Sequence, residues 1–350
     1  MDGNSDLFFL QVLVAFLLWL MLPLLPALSE LMRPKDAAPL QSVGSDAGKL
    51  TYFATSFTER AQRDGLLGTM VPPYMSDGTT VIGVSRTVPL LDGRKPTQSV
   101  VVLLDSVPLP EGMEFAGEVL ARLTMPPSRR NSFRAVLGKR DVGLGEGSTV
   151  QRWIHAHGRL EVGNDCRLFG RATSERTIIL GTNVIFERLQ APVIQVTALE
   201  AYQPPAPNTG AYERFEPDDG EEIITGYWRV DGDLRVPSGT LLLASVVCRG
   251  SVIVEDGARV TGSVKAHGEL IVRQNAVVNG ALTARERIVI ESRARVSGPV
   301  ISEESVVIDA AIVGASNQAS TVTAPIIELS PGATIYGAVM AGVRGNTVRA

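Results

Sequence analysis

Apolar and polar positions repeat with a period of 18 residues between Gly232 and Gly314. Within each unit, two apolar residues flank one intervening residue, as Val264 and Ala266 flank Lys265. This spacing is typical of a very short strand with both apolar side chains on one face. The inward positions that define the repeat are Val252, Val254, Val260, Leu270, Val272, Val278, Ile288 and Ile290.

Gly, Asn, Asp or Ser separates the apolar pairs, so each unit predicts three short strands joined at tight corners. Three strands per 18 residues describe one turn of a triangular β-solenoid. A single unit cannot bury its inward face, whereas stacked units bury a continuous core of Val, Ile, Leu and Ala. The sequence therefore predicts an all-β fold, a parallel β-helix with 18-residue coils.

Weaker copies of the repeat precede the clear ones. Residues 106–121 align without a gap on 251–266, and residues 154–162 align on 264–272. The predicted β-helix therefore covers residues 100–345. Proline-rich, acidic or polar stretches predict insertions near 122–133, 187–227 and 315–323.

Residues 50–99 are predicted to form a cap region before the first coil. Tyr52, Phe53, Phe57 and Ala61 recur at the three- and four-residue spacing of a short amphipathic helix. Such a helix is expected to lie over the open end of the solenoid or on a membrane surface.

The N-terminal part of the chain predicts a membrane anchor. After a short tail at residues 1–6, residues 7–28 are almost wholly apolar, a length that can cross a bilayer. We expect a single transmembrane helix over residues 7–32 and a linker over residues 33–49. A signal peptide is the alternative, but no Lys or Arg precedes the apolar run. Arg33 and Lys35 follow it, which predicts a single-pass protein of the inner membrane with its β-helix on the cytoplasmic side. The periplasmic side stays open as the alternative.

Composition narrows the function. Hydrophobic residues make up 45% of the chain and aromatic residues only 5%, which suits a solenoid interior of small and β-branched side chains. The net charge of -4 argues against a nucleic-acid partner, which requires a concentrated basic surface. Cys166 and Cys248 fall in inward apolar columns and are expected to be buried core residues.

The candidate chemistry is sparse. His157 and His267 occupy the same column of the repeat, each in Ala-His-Gly at a corner, and are expected to be structural and exposed to solvent. The carboxylates form no repeated ladder, and the sequence shows no metal-ligand spacing, phosphate-binding loop or Ser/His/Asp arrangement. We therefore expect no catalytic residues, no cofactor and no metal, in a protein that is not an enzyme.

The unit from Gly262 to Gly280, Gly-x-Val-x-Ala-x-x-x-Leu-x-Val-x-x-x-Ala-x-Val-x-Gly, resembles the repeat of the bactofilins, polymer-forming cytoskeletal proteins of bacteria. The resemblance implies a right-handed β-helix, head-to-tail polymerisation without nucleotide, and a scaffold role in cell shape, polarity or envelope synthesis. This chain is longer than a typical bactofilin and contains the insertions named above.

Self-association is predicted at the C-terminal coil, which runs almost to the end of the chain without a charged or helical cap. An uncovered coil is an exposed strand edge that pairs readily with another edge. Ile335, Val339 and Met340 are the residues expected to form this contact. The 187–227 insertion is expected to dock envelope-synthesis proteins.

Two other functions compete with the scaffold. One is an envelope polysaccharide-associated β-helix that binds or modifies glycan, which would gather Trp153, Tyr202, Tyr212 and Trp228 on one exposed side. The other is a hexapeptide-type acyltransferase, in which one of the corner histidines would act as a general base between subunits.

Overall fold

The computed structural model describes residues 12, 13, 16, 50–88, 97–197 and 212–348. The chain divides into two compact units, residues 1–49 and 50–350. In the first unit Val12, Leu13 and Phe16 are helical and exposed. The rest of the predicted tail, transmembrane helix and linker lies outside the described residues. No described helix has the length and apolar character needed to span a bilayer.

The described residues of the second unit form one helix, α1 (Tyr52–Arg63), and a parallel β-solenoid of about 14 turns. Its strands fall into two runs. The first run contains β1 (Val81–Val84), β2 (Val100–Leu103), β3 (Glu114–Ala121), β4 (Ser132–Gly138), β5 (Val142–Leu144), β6 (Thr149–Ala156), β7 (Leu160–Val162), β8 (Arg167–Ser174), β9 (Thr177–Leu180) and β10 (Ile185–Val196).

The second run contains β11 (Glu213–Arg214), β12 (Gly220–Ile224), β13 (Tyr227–Val230), β14 (Leu234–Val236), β15 (Thr240–Leu242), β16 (Ser245–Cys248), β17 (Val252–Val254), β18 (Arg259–Val260), β19 (Val264–Ala266), β20 (Leu270–Val272), β21 (Val277–Val278), β22 (Leu282–Ala284), β23 (Ile288–Ile290), β24 (Arg295–Val296), β25 (Val300–Ser302), β26 (Ser305–Ile308), β27 (Ile312–Val313), β28 (Ser320–Leu329) and β29 (Thr334–Thr347). The prediction of an all-β parallel solenoid is confirmed.

The register of the second run follows the sequence repeat. Val252 pairs with Leu270, and Leu270 pairs with Ile288, each 18 positions further on. All eight predicted core-repeat residues are fully buried, while the residue between two inward ones points outward. Glycine is required at 262, 280 and 298, because a Cβ at each position would collide with the backbone of the preceding coil.

One corner adopts the left-handed backbone conformation in successive coils. In the second run this corner holds Gly239, Gly257, Asn275 and Arg293, at φ +72°, +67°, +59° and +65°. Glycine, and to a lesser extent Asn, adopts this conformation at low cost, whereas Arg does not. The recurring corner explains why the predicted strands stop where they do.

The first run keeps a period of 17 or 18 residues through the region predicted as an insertion at 122–133. Phe115 pairs with Phe133, 18 positions later, and Met125 bridges to Val142. Residues 122–133 are therefore an ordinary part of a coil. The paired prolines Pro126 and Pro127, which suggested a break, lie directly after the bridging residue.

In the predicted insertion at 187–227, the described residues of β10 and β13 belong to solenoid coils. β10 pairs in parallel with β8 and β9, and β13 pairs in parallel with β16. The segment 198–211 lies outside the described residues. The predicted swelling at 315–323 matches a lengthened coil, in which Val300 pairs with Val322, 22 positions later.

Helix α1 lies against one side of the first run, not over an open end or on a separate surface. Its buried residues Ala54, Phe57 and Ala61 pack on outward-facing side chains of β2, β3, β4 and β6. The rings of Phe57 and Trp153 lie 5.8 Å apart between centroids. This face of the solenoid is therefore apolar on both sides of the sheet, which is why Val102, Leu120 and Leu137 are buried although they point out of the main core.

Candidate functional site

The predicted self-association residues lie in a joint between the two solenoid runs. β10 pairs antiparallel with β29, so the last coil of the first run meets the last coil of the second. Leu189 pairs with Val339, Ile194 with Ile335, and Arg188 with Met340. Ile335 and Val339 are fully buried, and Met340 is half-buried.

The expectation of an uncovered edge at the C-terminal coil is therefore wrong. The backbone groups that an incoming copy would need are already paired within the chain. A charged substitution at Val339 would disturb the fold, since it would place a carboxylate or ammonium in a closed apolar interior.

Hydrogen bonds close the joint at both ends. The Val196 N–H donates to the Ala333 carbonyl over 3.0 Å. At the other end, the Val184 N–H donates to Thr347 Oγ1 over 2.8 Å, and this hydroxyl donates to the Gly181 carbonyl over 2.8 Å. The edges of β10 and β29 therefore pair with each other, and the cores of the two runs are continuous across the joint.

The two outer ends of the solenoid are the first coil of the first run and the first coil of the second run. They differ in how far their strand edges are covered. At the first-run end, the Val81 N–H donates to the carbonyl of Pro73 over 2.9 Å, so the edge of β1 is partly satisfied by a turn of its own chain. Prolines 72, 73, 108 and 110 lie in the segments around this end. Proline at an edge removes a backbone donor and blocks strand addition.

The second-run end is not covered by any of the residues that the structure describes. Among the described residues, β14 pairs only with β17, β11 only with β15, and β12 only with β13, so each presents an unpaired edge. Ile223, Ile224 and Tyr227 are 57%, 61% and 52% exposed beside these edges. Trp228 and Phe215 are half-buried and pack against the end of the core. We call the surface formed by β11, β12, β14 and these three exposed side chains the open end.

Charged pairs line the outside of the hairpin β12–β13. Arg229 contacts Glu221 at 2.6 Å and Asp231 at 3.8 Å, and Asp231 also contacts Arg249 at 3.4 Å. Exposed pairs of this kind contribute little stability. Their effect at the open end is a rim of both signs around an apolar centre, the usual arrangement of a protein–protein interface.

A second feature is a cleft of about 520 Å³ between α1, the ends of β6 and β8, and β10. His155, His157 and Glu175 meet here with their side-chain ligand atoms within 4.8 Å of one another. The ring centroids of the two histidines are 4.9 Å apart, and His157 Nδ1 lies 2.8 Å from Glu175 Oε1.

The solenoid register creates this cluster. Leu137, His155 and Thr173 form one outward column on adjacent coils, and Lys139, His157 and Glu175 stack 18 positions apart at the next corner. The sequence interpretation treated His157 as an exposed corner residue matched by His267. The structure shows instead that His157 is half-buried and bonded to Glu175 and Lys139. Glu175 follows His157 by 18 residues, and this spacing alone predicts that the two side chains stack on adjacent coils.

Burial sets the charge of His155. Loss of solvent is the largest effect and, with the neighbouring His157, lowers the pKa of His155 to about 4, against the opposing pull of Glu175. The ring is therefore neutral at pH 7. Thr173 Oγ1 donates to the Ile154 carbonyl at 3.4 Å, so it accepts from His155 Nδ1–H at 2.8 Å. This assignment leaves the Nε2 lone pair of His155 facing Glu175 Oε1 at 3.8 Å.

None of the remaining candidate residues that the structure describes belongs to the histidine cluster, and Tyr212 and Trp228 lie beside the open end. Trp153 packs beneath α1, Trp228 lies in the first coil of the second run, and Tyr212 contacts Arg259, so the described aromatic residues form no shared sugar-stacking face. Tyr202 lies outside the described residues. Both cysteines are buried and unpaired, and burial raises the pKa of the Cys166 thiol to about 11.

The fold defines a parallel β-solenoid with a paired internal joint and one open end. Residues 220–318 match the family of the bactofilins, described as polymer-forming cytoskeletal. This segment, the bactofilin domain, begins at the hairpin of the open end and stops before β28 and β29. No curated protein and no solved structure matches the chain.

Proposed function

We propose that this protein is a non-enzymatic scaffold that self-associates through the open end of its bactofilin domain and is held at the membrane by residues 7–32. The description of the matched family as polymer-forming and cytoskeletal supports the scaffold role. We assign the self-association contact to the open end because its strand edges are unpaired and lie beside the exposed side chains of Ile223, Ile224 and Tyr227.

The geometry favours a closed dimer over an unlimited filament. The C-terminal coils are consumed by the joint, and the end at β1 is blunted by proline, so one unpaired end is left on each chain among the described residues. Pairing of like with like at that end is a two-fold contact, which closes after two copies.

Membrane attachment rests on the sequence. The apolar run at 7–32 and the following Arg33 and Lys35 place the solenoid on the cytoplasmic face of the inner membrane in this proposal. In this proposal the 187–227 segment binds envelope-synthesis proteins. Fractionation of cells that express the full chain or a chain without residues 7–32 tests the anchor, since only the former should sediment with membranes.

Sedimentation velocity of residues 50–350 tests the open-end contact. The unchanged unit should sediment as a dimer, and Ile224→Lys should sediment as a monomer because a charged side chain at the centre of the interface would be desolvated on pairing. Met70→Lys is the matched control, since Met70 is 86% exposed but distant along the chain from the open end. A monomer from the unchanged unit, or a dimer that survives Ile224→Lys, would refute the assignment. Filaments would show instead that the β1 end is competent to pair.

A further inference from the structure

We propose that His155, His157 and Glu175 form a binding site for a borderline divalent transition metal ion such as Zn²⁺. The site lies in the first solenoid run, outside the part of the chain that matches the bactofilin family. It is independent of the self-association proposed above.

The ligand types and distances suit such an ion. Zn²⁺ in proteins is bound by His nitrogen and carboxylate oxygen at about 2.0–2.2 Å, so tetrahedral ligand atoms lie about 3.4 Å apart. Glu175 Oε1 lies 3.8 Å from His155 Nε2 and 2.8 Å from His157 Nδ1. Small side-chain rotations bring all three ligand atoms to the required separation.

His155 is prepared for coordination. Its side chain is 95% removed from solvent (5% exposed), and its Nε2 makes no hydrogen bond within the described chain. A lone pair that faces a carboxylate across 3.8 Å is repelled unless a cation lies between them. The Thr173 hydroxyl on the other ring nitrogen holds the tautomer that leaves Nε2 free, the usual outer-shell arrangement for a metal-binding histidine.

Three protein ligands leave a fourth position open toward the cleft. The cleft is lined beyond the cluster by Thr55, Thr58 and Glu59 of α1 and by Gln190 of β10. An ion there would accept water or a small anionic group as its fourth ligand. Its protein ligands come from adjacent coils, so the ion would tie the end of β6 to the corner after β8.

Lys139 opposes the ion. Its Nζ lies 3.3 Å from His157 Nε2, the nitrogen that must carry the ring proton when Nδ1 binds metal. The ammonium must therefore move away as the metal enters. Lys139→Met keeps the apolar stem and removes the charge, so it should bind the ion several-fold more tightly than the unchanged protein.

Isothermal titration of ZnCl₂ into the full chain in mild detergent, with a chromophoric chelator as competitor, measures the affinity. We expect one ion per chain. His155→Gln and His157→Gln should each weaken the affinity at least about 10-fold, and Thr173→Val, which acts through His155, should weaken it about 10- to 100-fold. The matched control is His267→Gln, since His267 occupies the same repeat position as His157 but has no place in the cluster; this variant should bind as the unchanged chain does.

Glu175→Gln guards against loss of binding through misfolding, because the Glu175 side chain is 56% exposed. It should retain the far-ultraviolet circular dichroism of the unchanged chain and lose the visible absorption of bound Co²⁺. Absence of Zn²⁺ binding by the unchanged chain would overturn the proposal. Binding that survives both cluster-histidine variants, or that is lost equally in His267→Gln, would do the same.

Discussion

Gly345→Ala is the sharpest test of the joint between the two solenoid runs. A Cβ at residue 345 would fall well inside van der Waals contact with three ring carbons of Phe186. Phe186 is fully buried, and its backbone pairs with Gly345 across β10 and β29. The added methyl can be accommodated only if the ring or one of the two strands moves.

The expected cost is about 1–3 kcal/mol, the usual penalty for adding a methyl group to a closed core. For a unit of about 300 residues this lowers Tm by about 2 °C per kcal/mol. The matched control is Gly342→Ala on the same strand, where the nearest atom to the new Cβ is the Cα of Pro325 at an ordinary 3.5 Å. We expect little change in Tm from this control.

Calorimetry gives the change in Tm, and hydrogen exchange measured by mass spectrometry shows where it arises. Gly345→Ala should accelerate exchange in residues 185–196 and 334–347 and leave the middle of the second run unchanged, because a solenoid is stabilised by contacts between neighbouring coils. Repeating the substitution in a Phe186→Leu background should recover about 0.5–3 kcal/mol, the coupling expected of residues in direct contact.

Equal Tm values for Gly345→Ala and Gly342→Ala would refute the close contact. A full cost that persists in the Phe186→Leu background would show that Gly345 is required for another reason. Either result would count against the close packing of Phe186 on Gly345, which is one of several residue pairs that form the joint.

Three further predictions concern the coils themselves. Gly257→Ala should lower the free energy of unfolding by about 1–2 kcal/mol, because its new Cβ meets no atom and only the left-handed backbone is penalised. Arg293→Gly should raise the free energy of unfolding for the same reason. Chemical denaturation measures both changes. Leu270→Ala should cost about 2–5 kcal/mol and Ile271→Ala much less, since the first is fully buried and the second points outward between two inward neighbours; a similar cost at both positions would contradict the strand orientation. Since burial raises the pKa of Cys166 from 9.0 to about 11, the folded state holds its proton longer than the unfolded state. Stability should therefore fall as pH rises from about 9 to 11, by on the order of 2–3 kcal/mol in total, and Cys166→Ala should flatten that part of the measured pH profile.

Much of the fold could be predicted because each inward residue meets its partner one coil away. Val252, Leu270 and Ile288 occupy one column in the sequence and one ladder in the structure. Glycine at 262, 280 and 298 was visible as a column before its cause, the close approach of coil backbones, was known. In the weaker first run, proline pairs and charged residues obscured a period that the backbone nevertheless keeps.

The histidine cluster was within reach of the same logic but was missed. Motif searches look for ligands close together in sequence, whereas a solenoid brings residues 18 positions apart into contact. His157 and Glu175 stack in this way. His155 lies near the end of β6, two residues before His157, and its side chain points outward toward the same two groups. Burial of His155 by α1 and β10 could not be read from its column.

The period, the inward residues and the corners of the coil can all be predicted from the amino-acid sequence, because they follow from local strand geometry repeated at a fixed spacing. The pairing of the two runs through β10 and β29 is visible only in the folded structure. Phe186 and Gly345 are far apart in the chain, and an apolar strand carries no mark of whether its edge will pair with another copy, with solvent or with a distant strand of its own chain. The antiparallel joint closes the C-terminal coil because burying that edge within one chain requires no second molecule, and so the open end lies at the opposite side of the bactofilin domain.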